Sequence, residues 1–177
     1  LGDLEGDGDL DFFRYKGHAG SGYEVWENLT VQEASTQAAI PLDNWQYTAV
    51  DENRGRWGDW AEPRFLRYFG LDDGDLNDDG YRDIVSGRYV YLNPGPDMTR
   101  EWKRVDLGMN TDGALILDVD GDAHGDVIST SLPEVYWLEA DDATGHSWKA
   151  KPIASLPPTG HVNGQGIFKG RLGQNLT

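Results

Sequence analysis

The chain contains no cysteine. Disulfide bonds and thiol chemistry are therefore excluded. Basic residues are few: 15 Lys and Arg stand against 31 Asp and Glu, for a formal charge of −16. A nucleic-acid partner is excluded on that ground, because neutralising phosphates takes clustered Lys and Arg. No apolar run approaches the roughly 20 residues of a membrane-spanning helix, so no membrane insertion is expected. A Ser-His-Asp pattern, a phosphate loop and a zinc motif are also missing. The 177 residues suffice for one domain with a core.

What the chain does have is a nine-residue acidic run, three times over. The runs are Asp3-Leu-Glu-Gly-Asp-Gly-Asp-Leu-Asp11, Asp75-Leu-Asn-Asp-Asp-Gly-Tyr-Arg-Asp83 and Asp118-Val-Asp-Gly-Asp-Ala-His-Gly-Asp126. Each places oxygen-bearing side chains at positions 1, 3, 5 and 9, with the carbonyl of position 7 available as a further ligand. Calcium is a hard cation that takes six to eight oxygen ligands. The expected ligands are Asp3, Glu5, Asp7, Asp9 and Asp11 in the first loop. They are Asp75, Asn77, Asp79, Tyr81 and Asp83 in the second, and Asp118, Asp120, Asp122, His124 and Asp126 in the third. His124 is expected to offer only its carbonyl. Ala123 stands where the other loops have glycine at position 6. Three calcium ions would bring the net charge to about −10. Much of the acidity is thus a metal-site signature, and the ions are expected to be structural. An EF-hand is excluded: position 12 would require Glu and is Arg14, Ser86 or Ser129.

The flanks indicate strands. Each loop is followed by a short apolar run (Phe12-Phe13, Ile84-Val85, Val127-Ile128), then a turn, then a second run: Tyr23–Asn28, Tyr89–Asn93, Val135–Glu139. A third run opens on Trp45, Trp102 or Trp148. Phe65–Phe69 and Ala114–Leu117 precede the second and third loops. Short β-branched and aromatic runs bounded by turn residues are strand signals. The loops start 72 and then 43 residues apart. A four-stranded unit of that length points to an all-β β-propeller built of four-stranded antiparallel blades. On these loops and strands the chain resembles the FG-GAP/VCBS repeat family, the calcium-loop propellers of the integrin α-subunit type. The resemblance covers nearly the whole chain. It implies calcium as cofactor, a secreted or cell-surface setting, and a glycan or an extracellular protein as partner.

About three blades are expected in one propeller domain, over 1–62, 63–112 and 113–160. The first lacks an opening strand, which residues 164–172 would supply. Arg171 stands where a fourth loop would have its first ligand. Three blades leave a ring open, so either missing blades or self-assembly is expected. The start at Leu1, directly on a loop, suggests a processed product or a fragment.

Ligand chemistry is expected on the loops opposite the metal end. Residues 51–63 carry Arg54, Arg56, Trp57 and Trp60, and a later connection carries His161 and Asn163. Trp stacks on sugar rings and Arg pairs with carboxylates, so an acidic glycan is the expected ligand. The alternative role for Trp57 and Trp60 is to plug the blade junction. Some propellers that this chain resembles are polysaccharide lyases cleaving uronic-acid polymers. In that alternative His18, Tyr23, Arg54, Arg56 and His161 are the catalytic candidates, supplying base, acid and a cation for the carboxylate.

Overall fold

The computed structural model describes residues 4, 12–15, 23–28, 45–53, 70–122, 124–142 and 144–157. All regular structure among them is strand. The strands are β1 (Phe12–Tyr15), β2 (Tyr23–Asn28), β3 (Trp45–Asp51), β4 (Leu71–Gly74), β5 (Asp83–Ser86), β6 (Tyr89–Leu92), β7 (Lys103–Asp106), β8 (Asp112–Leu117), β9 (Asp126–Ser131), β10 (Glu134–Ala140) and β11 (Trp148–Ser155). They form three sheets in chain order. The first is β1-β2-β3, the second β4-β5-β6-β7 and the third β8-β9-β10-β11. Every pairing is antiparallel between neighbours in sequence.

The strand that enters the second acidic loop is Leu71–Gly74, which pairs with β5, and the Phe65–Phe69 run lies outside the described residues. The reason is spacing: a tight loop needs its entering strand to end where the loop begins, at Asp75. The segments 54–69 and 158–177 also lie outside the described residues, so the completion of the first sheet by 164–172 does too.

The sheets stack face upon face, and strand alternation sorts the residues. Val85, Val90 and Val105 lie in one cross-strand row and join Ile116, Val127 and Leu138 of the third sheet in one buried cluster. Ile84 and Tyr91 point the other way and meet Val25 and Val50 of the first sheet in a second cluster. Trp102 is buried there, with its indole N–H donating to the Met98 carbonyl at 3.0 Å. Trp148 packs against the first cluster, while Trp45 is half-buried.

Position 2 of each acidic loop is part of this packing. Leu4 is fully buried in the cluster between sheets one and two. Leu76 is fully buried between sheets two and three. Each leucine carbonyl is also claimed by the next sheet's surroundings: Leu4 O accepts Asn93 Nδ2 at 2.8 Å, and Leu76 O accepts the Gly125 N–H at 3.2 Å. The approach at Gly125 is so close that a Cβ would stand 2.8 Å from Asp75 O and from Leu76 Cα.

Truncating Leu76 to Ala is expected to cost about 2–5 kcal/mol, as for other large-to-small changes in a packed core. Urea denaturation measures it; a loss below about 1 kcal/mol would mean that Leu76 does not join the two sheets.

Candidate metal centre

The second and third acidic loops are built alike. Each connects two hairpin strands, β4 to β5 and β8 to β9, and each turns on backbone N–H groups that donate to its own side-chain oxygens. In the second loop Asp75 accepts the N–H groups of Asp79 (3.2 Å) and Gly80 (2.9 Å), and Asp79 accepts that of Tyr81 at 2.9 Å. Asn77 accepts from Asp79 N at 3.3 Å and donates its amide to Asp79 Oδ2 at 2.9 Å. In the third loop Asp118 accepts Gly121 N (2.7 Å), Asp120 accepts Asp122 N (3.3 Å) and Asp122 accepts His124 N (2.8 Å). Short polar side chains bonding backbone two to five residues on are what bend a chain into such a loop.

The last aspartate of each loop has a second task. Asp83 accepts the N–H of Leu76 at 2.9 Å and the N–H of Asn93 at 2.8 Å. Asp126 accepts Val119 N and Ala140 N, both at 3.0 Å. Both carboxylates are buried. Each therefore ties the start of its loop to the end of the third strand of its sheet, at Asn93 just after β6 or at Ala140 of β10. Each carboxylate keeps acceptor capacity beyond these two bonds, since it offers about four acceptor positions.

The third loop meets the geometric requirement of a metal site. One carboxylate oxygen from each of Asp118, Asp120 and Asp126 lies within 4.8 Å of the other two. Hard oxygen donors so close together repel one another, and a cation at their centre removes the repulsion. Asp120 registers this: its carboxyl sits above the usual range through partial desolvation and then the charge of Asp122. Asp122 and His124 share the loop but lie outside that triad. The ring Nδ1 of His124 is buried with no hydrogen-bond partner among the described residues.

In the second loop burial pushes Asp83 up to about 7. The two backbone N–H groups oppose the shift, and the charges of Asp79 and Asp75 add to it.

Position 4 carries a requirement that the sequence reading passed over. Its backbone is left-handed in both loops, with φ 82° at Gly121 and φ 56° at Asp78. Glycine takes this conformation without strain; aspartate takes it at a cost. Gly6 at position 4 of the first loop, beside Gly121, was the available signal. Position 6 is left-handed at Gly80 as well, with φ 88°.

The remaining expected residues divide simply. Asp3, Glu5, Asp7, Asp9, Asp11, His18, Arg54, Arg56, Trp57, Trp60, His161 and Asn163 lie outside the described residues, and of Tyr23 only the backbone, in β2, is described. At the root of the 51–63 stretch is a cleft of about 420 Å³ that sequence reasoning missed, lined by Asp51, Glu52, Asn53, Glu101, Lys103 and Arg104 among others. Arg104 pairs with Asp51 at 2.9 Å and lies 4.8 Å over the Tyr89 ring, while Asp51 also accepts the Tyr91 hydroxyl at 3.0 Å. Its residues are distant in sequence, so only the stacking of β3 on β7 assembles it.

The class defined so far is an all-β chain of stacked antiparallel sheets with acidic loops, one of which brings together three carboxylates that could hold a metal ion. No protein-family model matches the chain, and no curated protein or solved structure matches it either.

Two outcomes follow from the loops. Asp78→Gly is expected to raise stability by roughly 0.5–1 kcal/mol by relieving the left-handed strain, as read by chemical denaturation; a loss of stability would contradict the strain. Without metal, Asp83 stabilises the fold below pH about 4, and this contribution fades as pH rises to about 7. The metal-free protein should therefore denature at lower urea at pH 8 than at pH 5. Equal midpoints would count against a buried, raised Asp83.

Proposed function

We propose that this chain is a calcium-stabilised β-propeller segment of the FG-GAP/VCBS type, working as a secreted or cell-surface binding module for a glycan or an extracellular protein. The observation that carries the reading is the loop built twice. In both copies side-chain oxygens at positions 1, 3 and 5 accept the N–H groups that fold the loop, the third being the Asn77 amide in one copy and the Asp120 carboxylate in the other, and a buried aspartate at position 9 anchors it to its own sheet. The three sheets, stacked in chain order, two of them with such a loop between their first and second strands, support blades as the unit.

Calcium is the fitting ion on chemical grounds. The donors are carboxylates, an amide and carbonyls, with no sulfur, which is the hard oxygen set that calcium takes. Dissociation constants in the range of extracellular modules suit millimolar calcium outside cells. The ions act on stability rather than on a substrate: Asp118, Asp120 and Asp126 face one another, and the acids of the second loop bond their own backbone.

The binding role is the weaker half and rests on the cleft beside β3 and β7. It is polar, carries Lys103 and Arg104 beside three acids, and sits at the root of the stretch bearing Arg54, Arg56, Trp57 and Trp60. A sugar polymer with carboxylate groups suits that mixture of cations and hydrogen-bonding groups. No observation in the structure favours the lyase reading.

Calcium at about 100 times its dissociation constant should add about 2.7 kcal/mol per site, seen as a rise in melting temperature that EDTA reverses. An unchanged melting temperature would remove calcium from the account. On immobilised uronic-acid polysaccharide the protein should be retained and Lys103→Ala retained less, with no unsaturated product absorbing in the ultraviolet. Release of that product would instead establish the lyase.

A further inference from the structure

Arg82 and Arg88 each spend the edge formed by Nε and Nη2 on an aspartate. Arg82 sets Nε on the Asp73 carboxylate and Nη2 on the Asp73 carbonyl. Arg88 sets both nitrogens on Asp106 Oδ1, at 3.1 and 2.9 Å. Arg104 is bonded differently. Its Nη1 donates to Asp51 Oδ2 at 2.9 Å and to the Asn53 carbonyl at 3.4 Å. Its Nε and Nη2 have no partner among the described residues. Two such nitrogens side by side can meet a carboxylate with two parallel hydrogen bonds.

The guanidinium is also held in place. It lies 4.8 Å over the Tyr89 ring, and Asp51, which takes Nη1, is itself fixed by the Tyr91 hydroxyl at 3.0 Å. Asp51 belongs to β3 and Arg104 to β7, so the packing of two sheets sets the orientation of the group. The Arg104 side chain is nevertheless 39% exposed and lines the cleft of about 420 Å³. A planar fork already held at one end loses little freedom on meeting a ligand. The acids around it restrict what that ligand can be. Asp51 is taken up by Arg104 and Tyr91, whereas Glu52 and Glu101 line the same cleft and are exposed. Carboxylates accept from hydroxyl groups and repel dense negative charge.

We propose that Arg104 is the residue that recognises the ligand of this cleft, taking a sugar carboxylate on its Nε–Nη2 edge. The ligand class is a uronic-acid polymer, with one carboxylate per acidic sugar and hydroxyls beside it, and not a sulfated chain. Glu52 and Glu101 accept from those hydroxyls and disfavour a more densely charged polymer. Lys103, the preceding residue of β7, adds an exposed point charge without the planar fork. The inference rests on the glycan-binding role proposed above; it adds which side chain reads the ligand and which acidic group it reads.

The test is binding of the full chain, at constant calcium, to immobilised hyaluronate, polygalacturonate and alginate. Each is set beside its carboxyl-reduced form, and dextran sulfate serves as the sulfated probe. The unaltered chain should bind at least one uronate polymer, and bind its reduced form and dextran sulfate at least about tenfold more weakly, the worth of one charged hydrogen bond. Arg104→Lys keeps the charge facing Asp51 but loses the fork, and should weaken uronate binding by about tenfold or more. Its weak binding to the reduced form should stay the same. A second measurement needs no variant: the Arg104 Nε–H resonance of the unaltered protein should shift when oligosaccharides of the bound polymer are added, and not with their carboxyl-reduced forms. Uronate binding that is unchanged in Arg104→Lys, equal binding to the reduced polymer, preference for dextran sulfate, or an Nε–H resonance that does not move overturns the inference and leaves the binding role standing. Failure of the unaltered chain to bind any of the three uronate polymers removes the glycan reading, and this inference with it.

Discussion

A buried carboxylate bonded to two backbone N–H groups is the contact on which the rest of this structure depends. Asp83 holds Leu76 and Asn93, and Asp126 holds Val119 and Ala140. The first N–H of each pair sits at the start of the acidic loop and the second at the end of β6 or β10. One side chain therefore closes the loop and binds it to its sheet. Removing it would leave two N–H groups unsatisfied, which is expensive where water is excluded.

That anchor links the metal chemistry to the hydrophobic packing. The residue after a loop's first aspartate is held by the anchor, Leu76 by Asp83 and Val119 by Asp126. In the second loop it is Leu76, buried among Val85, Ile116 and Val127. Gathering the acids of a loop thus sets the position of an apolar plug, and the plug sets how closely two sheets approach. The contact of Gly125 with Leu76 makes the coupling tighter, because loop two and loop three touch through backbone. A cation that relieves the repulsion among Asp118, Asp120 and Asp126 would in this way stabilise more than its own loop.

Much of this was legible in the sequence. The strands after each loop follow the short β-branched and aromatic runs closely, and Tyr23–Asn28 is the same in sequence and structure. Such runs are legible because strand pairing needs only local patterning and a turn. The strand that leads into the second loop, Leu71–Gly74, was not read from the sequence: it carries two acids, and the apolar run expected before that loop, Phe65–Phe69, lies outside the described residues. Asp73 is buried with Arg82 as its partner, and Asp72 accepts the Ile116 N–H at 2.8 Å. Hydrophobicity could not find a strand held by its acids. The site divides the same way. The positions of the acids were plain, but the left-handed backbone at position 4 and the plug at position 2 went unread. Both had a visible signal: Gly6 and Gly121 for the first, and Leu4, Leu76 and Val119 for the second. The cleft of Asp51 and Arg104 had none, since its two sides are brought together only by packing.

The central claim is that metal, anchor and sheet packing form one unit. Amide hydrogen exchange of Leu76, Asn93, Val119 and Ala140, with calcium and after chelation, tests it most directly. The account predicts strong protection of all four with calcium and its joint loss on chelation, while amides within β5 and β9 change less. Protection that is the same in both conditions would contradict it.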